Sequence, residues 1–258
     1  MSNSNDENIA KTIQSVDTVF TIVEYISQNS EAGVTEIANE IGVSKSTVHN
    51  HLKTLEQREY IRKDKSGHYV LGYQFLTLGG RARERSNLHP VAKPEINWLV
   101  EETSESACVA TEEYGRIIYL YQARGEQAIT TDSQTGTRVY PHCTALGKSI
   151  LAHCSGERVD GIIDRHGLPK STENTITSRE TLRTELETIR ERGYAFDDEE
   201  RIEGLRCIAA PIMHNDQVCG AISVSGPAKR LQGNRFKETI PEQVRRAVRV
   251  IEMNLEYS

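Results

Sequence analysis

The sequence predicts an α+β protein: an N-terminal winged helix-turn-helix, a helical linker and a C-terminal domain with a mostly antiparallel sheet. Three observations predict it. Residues 13–55 hold three short helical patterns, two of them meeting at a tight Gly turn; residues 60–71 follow as two short strands around a polar turn; residues 106–258 alternate strands and helices. The expected divisions are 9–72, 73–104 and 105–258, with the boundary between the two halves near residues 80–90.

The first helix is predicted from Ile13, Val16, Val19, Phe20, Val23 and Ile26, which recur at three- and four-residue steps until Asn29, Ser30 and Gly33 break the pattern. A short second helix spans 35–41. Ala38 leaves room for a neighbouring helix to approach closely, Gly42 tolerates the positive φ of a sharp turn, and Ile37, Ile41 and Val43 fill the angle between helices. Ser44 is a good N-cap for a third helix, whose buried stripe is Val48, Leu52 and Leu55. Lys45, Ser46, Thr47, His49, Asn50 and Lys53 then point outward. Short polar groups early in a helix with cations beyond suit base edges and phosphates, although the same pattern would also serve an ordinary solvated face.

The next segment distinguishes the two. Tyr60–Lys63 and His68–Leu71 pattern as strands around Asp64-Lys65-Ser66-Gly67, and a hairpin placed directly after such a helix is a wing. Arg62, Lys63 and Lys65 would decorate it. The chain carries a net charge of −6, which read globally argues against nucleic acid. Locally, between Ser44 and Tyr69, six cations face three anions, so the one basic region lies where a DNA-reading head needs it. The expected DNA contacts are Ser44, Lys45, Ser46, Thr47, His49, Asn50, Lys53, Lys63 and Lys65.

Residues 73–104 continue as helix, with a possible break at Gly79-Gly80 and punctuation at His89-Pro90 and Lys93-Pro94. Beyond them, 107–111 and 116–121 flank a Tyr114-Gly115 hairpin turn. Helices follow from Thr144 and near 156–165, and Thr177…Glu180 fits a capping box opening a helix that ends at Gly193. Two apolar strands, 205–212 and 218–225, surround an Asn215-Asp216 turn, and Ile240, Val244, Val248, Ile251 and Leu255 mark a final helix.

Several classes are set aside. No apolar run approaches the roughly 20 residues of a membrane span, and the polar start Met1–Asn8 lacks the features of a signal peptide, so a cytoplasmic location is expected. Five cysteines, at 108, 143, 154, 207 and 219, include no CxxC pair, which argues against a disulfide scaffold or a structural zinc site. His142 beside Cys143, or Cys207 with Asp197, has the ingredients of thiol chemistry, but adjacency supplies no activating geometry. With no GxSxG, Walker or GxGxxG motif, no enzyme activity and no cofactor are expected.

The string His142-Cys-Thr-Ala-Leu-Gly-Lys-Ser-Ile-Leu-Ala152 resembles a loop-helix signature of the IclR family of transcription regulators. So do 193–200, 204–211 and 221–227, and the N-terminal Ser46-Thr-Val48 and Tyr69–Gly72 fit the same family in the same order. The resemblance implies a GAF-like effector domain, a homodimer or tetramer, a palindromic double-stranded DNA operator and a small organic or aromatic acid as effector. Carried over motif by motif, it implies a pocket at Ala145, Leu146, Asp197, Cys207, Ser223 and Ser225. A helix start suits a carboxylate, and Ser223 and Ser225, two apart on a strand, share a face. Taken without the resemblance, the serines are ordinary strand residues, Cys207 a small core hydrophobe and 197–200 a solvated acidic loop. Leu146 is larger than the residue some relatives have there, which narrows the pocket or changes the ligand class. The competing reading is a redox- or metal-sensing regulator using Cys143 and Cys207, with His142 and His214 as further ligands.

Overall fold

The computed structural model describes residues 12–257. The polar first eight residues and the expected domain start at residue 9 lie outside them. The chain divides into two compact units between Ala82 and Arg83.

In the first unit, α1 (Gln14–Asn29), α2 (Val34–Ile41) and α3 (Lys45–Gln57) precede a hairpin of β1 (Ile61–Lys63) and β2 (Tyr69–Leu71), and α4 (Gln74–Arg83) runs to the division. Gly42 closes α2 in the left-handed region at φ 69°, as the turn requires. Ser44 caps α3 by accepting the Thr47 N–H at 3.1 Å, and Val48, Leu52 and Leu55 are buried beneath it. Burying each such side chain contributes about 1.5–3 kcal/mol. The wing is tied to the segment before α2, because Ala32 and Tyr69 exchange both backbone hydrogen bonds, at 3.0 and 2.9 Å.

Two expectations for this unit need correction. The buried face of α1 is Ile22 and Ile26 with Val19 and Val23 at its edge, whereas Ile13, Val16 and Phe20 project outward at 68, 45 and 60% exposure. Gly79 and Gly80 do not break α4, which is continuous across them.

The second unit is built on a six-stranded sheet in the order β5-β4-β3-β8-β7-β6, antiparallel throughout. Its strands are β3 (Ser106–Glu113), β4 (Arg116–Arg124), β5 (Arg138–Val139), β6 (Ala195–Asp198), β7 (Leu205–His214) and β8 (Gln217–Pro227). Hairpin turns at Tyr114-Gly115 and Asn215-Asp216 place both central residues at positive φ, matching the twist of their strands.

The two faces of the sheet carry separate cores. One packs α6 (Ala145–Leu151), α7 (Gly156–His166) and α8 (Arg179–Arg192) through Ile150, Ile162, Leu182 and Ile189. The other packs α5 (Leu88–Thr103) and α9 (Ile240–Glu256) through Ile96, Leu99, Val244 and Ile251. Thus α5, which falls within the stretch expected to be linker, is part of this domain's core. It runs unbroken through both prolines. Pro90 sits in the first turn, where a missing N–H costs nothing, and Pro94 follows one turn on. The expected capping box at Thr177 is displaced by one residue: Ser178 caps α8, accepting the Thr181 N–H, and Gly193 ends it in the left-handed region.

Candidate functional site

The head is assembled by α3 and the wing. Every predicted DNA contact (Ser44, Lys45, Ser46, Thr47, His49, Asn50, Lys53, Lys63 and Lys65) is exposed. Two of them are partly committed within the helix start, since the Ser44 and Thr47 hydroxyls hydrogen-bond each other at 2.8 Å. The wing turn is stiffened from inside. Asp64 Oδ1 accepts the Ser66 hydroxyl at 2.7 Å and the Ser66 and His68 N–H groups at 2.9 Å, and the Ser66 hydroxyl above all holds its carboxyl below the usual range. Lys63 Nζ lies 5.1 Å from the Tyr69 ring centroid, which directs its stem along the wing.

In the second unit a cavity of about 30 Å³ opens between the sheet and the start of α6. Leu146, Asp197, Cys207, Ser223 and Ser225 all line it, as the motifs implied. Ala145 does not: it is fully buried in the core beside the cavity. The position of α6 depends on Gly147, where a Cβ would stand 2.2 Å from the Pro141 carbonyl oxygen, so only glycine allows so close an approach.

The structure adds residues that motif reasoning missed. Cys108 and Tyr119 enter from β3 and β4, and Arg201 from the loop after β6; Thr131 and Ser133 come from the segment after β4. Cys108 Sγ and Ser223 Oγ are 3.3 Å apart across the β3–β8 pair. These residues are distant in sequence and belong to no motif. The antiparallel pairing brings them together, so only the sheet order would have found them.

Electrostatically the wall holds one carboxyl and one guanidinium. Burial pushes the Asp197 carboxyl up to about 7, with the neighbouring Glu200 charge acting in the same direction; the Glu200 N–H donates to Asp197 Oδ1 at 2.8 Å. Behind it, Glu200 pairs with the fully buried Lys148 of α6, and its second carboxylate oxygen has no partner among the described residues. Burial raises the Glu200 carboxyl as well, while the Lys148 charge opposes the rise.

The thiols rule against the competing chemistry. Burial pushes Cys108 and Cys143 up to about 11 and Cys207 well above the usual thiol value, the reverse of an activated thiolate. Cys143 donates to the Tyr140 carbonyl, and the His142 ring contacts the Pro169 carbonyl. Among the described residues no metal-ligand cluster includes Cys143, Cys207, His142 or His214; the one grouping of such side chains is Glu31, Asp64 and His68 at the wing. The redox- or metal-sensing reading of Cys143 and Cys207 is therefore withdrawn. A second, larger void of about 210 Å³ lies at the start of α5, lined by Ser86, Asn87, Leu88, His214, Cys219 and Leu255, and includes none of the residues expected for the DNA or effector sites.

A winged helix-turn-helix followed by an enclosed polar cavity on a separate α+β domain defines a regulator that joins a DNA-binding head to an effector domain. Residues 15–65 match the family profile for the IclR helix-turn-helix domain, and 81–253 match that for the bacterial transcriptional regulator IclR C-terminal region. The chain belongs to the IclR family of transcription regulators. It is 35% identical to a probable HTH-type transcriptional regulator ArcR of Halobacterium salinarum, covering 95% of this chain and 94% of that one. It is 31% identical to the transcriptional repressor IclR of Escherichia coli, over 88 and 84% of the two chains. Among solved structures, Thermotoga maritima IclR superposes with a TM-score of 0.80 at 29% identity, covering 95% of this chain and 99% of that one. An IclR homologue from Microbacterium hydrocarbonoxydans in complex with 4-hydroxybenzoate shares the fold, with a TM-score of 0.83 at 23% identity, over 95 and 100% of the two chains. No helix among the described residues is long and apolar enough to cross a membrane.

Proposed function

We propose that this regulator binds a palindromic operator as a homodimer or tetramer, and that a small organic acid in the cavity of the second unit sets its operator affinity. The observation that carries the reading is the cavity itself: five of the six residues expected from the motifs converge on it, although they come from four separate stretches of chain. The Asp197 carboxyl, pushed up to about 7 by burial, and the Ser223 and Ser225 hydroxyls offer a guest hydrogen bonds. The exposed apolar edge of α1, Ile13, Val16 and Phe20, supports self-association of the heads. The 4-hydroxybenzoate complex of the Microbacterium homologue supports an acid as the ligand class.

On this reading Ser46, Thr47, His49 and Asn50 meet base edges in the major groove, Lys45 and Lys53 neutralise phosphate, and Lys63 and Lys65 of the wing contact flanking backbone. The acid acts only through its different affinities for the operator-competent and incompetent states. The test is selection of bound duplexes from a random pool by the full chain, followed by salt titration of two variants. Lys53→Ala weakens binding to all duplexes and flattens the salt slope, whereas Asn50→Ala chiefly relaxes sequence preference. Unchanged selection and slope in both variants would remove α3 from the DNA interface.

A further inference from the structure

Among the described residues Arg201 is the only cationic side chain in the cavity wall, and the sequence motifs assigned it no role. Its side chain is 13% exposed, so the charge is largely withdrawn from water. Its guanidinium is held from the segment after β4, donating to Asp132 Oδ2 at 2.6 Å and to Ser133 Oγ at 3.3 Å. Ser133 is part of the cavity wall but Asp132 is not, and the Asp132 side chain is 66% exposed. A cation facing the cavity is therefore balanced by a carboxylate that sits outside, in solvent.

That arrangement is suited to exchange. An ion pair with a well-hydrated partner is worth little, so releasing Asp132 to water costs little. A guest carboxylate meeting the same guanidinium inside the cavity does so in a drier place, where charge-assisted, planar hydrogen bonding is stronger. A neutral guest gains nothing comparable and leaves the Asp132 pair in place. Size points the same way. At about 30 Å³ the cavity holds roughly two water molecules, enough for a carboxylate head but not for a whole organic acid. Entry requires the segment 125–137 to yield, and the Arg201–Asp132 pair is one of its ties, alongside the bond from Arg124 to the Ser133 carbonyl at 3.0 Å.

We infer that Arg201 is the specificity-determining residue of the cavity, selecting effectors that carry a carboxylate by exchanging the Asp132 carboxylate for the guest's. The inference rests on the reading of this cavity as the effector site. It places the carboxylate at Arg201, while Thr144 and Leu146 at the start of α6 line the same wall. The Ser223 and Ser225 hydroxyls and Asp197 then face the remainder of the guest and favour hydroxyl substituents on it.

The test uses the full chain and matched pairs of probes at constant ionic strength: pyruvate and pyruvamide, gluconate and gluconamide, 4-hydroxybenzoate and 4-hydroxybenzamide. Binding is read by thermal shift and titration calorimetry for the unmodified chain, Arg201→Gln, Arg201→Lys and Asp132→Asn. The expected result is that at least one acid binds and its amide does not. Arg201→Gln then weakens that acid tenfold or more, Arg201→Lys weakens it less, and Asp132→Asn tightens it several-fold. If an amide binds as well as its acid and Arg201→Gln leaves affinity unchanged, the cavity remains the effector site and Arg201 is not its selector. If no probe binds the unmodified chain or Asp132→Asn, both the inference and the effector reading fall. Should Arg201→Gln not fold, Arg201→Lys and Asp132→Asn decide the matter, and equal affinity for the acids in those two and the unmodified chain overturns it.

Discussion

Lys148 of α6 and Glu200 of the loop after β6 form an ion pair whose side chains are 1 and 10% exposed, directly behind the cavity. Glu200 lies three residues from Asp197 and next to Arg201, both in the cavity wall, so the pair links the rim of the cavity to the helix on its floor. Removing Lys148 leaves the buried Glu200 charge uncompensated, and removing Glu200 leaves Lys148 only the longer contact to Glu185 at 3.9 Å; such losses cost about 3–5 kcal/mol. Lys148→Met and Glu200→Leu are each expected to lose stability on that scale in urea denaturation. The double variant recovers most of the loss, and additive losses would show that the pair is not coupled.

Asp197 gives a pH dependence of defined sign. Its folded carboxyl titrates near 7, above its ordinary value of 3.8, so the folded state holds a proton that the unfolded state has lost between those two values. Its stabilising contribution is complete below pH 3.8 and disappears as pH rises through about 7. Asp197→Asn, which is neutral at every pH, is therefore expected to be more stable than the unmodified chain at pH 8. The difference narrows toward pH 5, and a variant equally destabilised at both pH values would contradict the shift.

The Ser44 cap separates folding from DNA contact. Ser44→Ala loses the hydrogen bond to the Thr47 N–H and is expected to cost about 1 kcal/mol, seen as a lower melting temperature. Ser44→Asp restores the cap and the stability, but places a negative charge toward phosphate, so duplex affinity stays low. Full recovery of DNA binding in Ser44→Asp would take Ser44 out of the interface.

Thiol accessibility checks the withdrawn redox reading. At pH 8 an aromatic disulfide reagent is expected to modify the half-buried Cys154 and Cys219 slowly, and Cys108, Cys143 and Cys207 only after denaturation. Rapid modification of native Cys207 would reopen it.

The head was legible in the sequence because its determinants are local. Gly42, Ser44 and the Val48–Leu52–Leu55 stripe each act within a turn or two of chain, and the hairpin follows from one polar tetrad. The first helix shows the limit. Periodicity identifies apolar faces but not what covers them, so Ile13, Val16 and Phe20 looked like core beside Ile22 and Ile26. In the second unit the motifs located Leu146, Asp197, Cys207, Ser223 and Ser225 because each lies in a recurring string. Arg201 and Ser133 are 68 residues apart and meet only once the segment after β4 folds toward the loop after β6, a relationship that no local pattern encodes. The path of α5 through Pro90 and Pro94 was hidden for the opposite reason: a local signal for a break was overridden by packing of Ile96 and Leu99 against the sheet.

The central sheet separates its two cores by residue parity. On β8, Ala221 and Ser223 face the cavity side while Ile222 and Val224 face α5 and α9; on β7, Cys207 and Ala209 alternate in the same way with Ile208 and Ala210, and on β3 Cys108 and Ala110 with Ala107 and Val109. Cavity-side and scaffold positions are thus interleaved on the same strands. On the proposed reading, exchanging alternate residues of three strands changes what the cavity accepts while the layer under α5 and α9 keeps its packing.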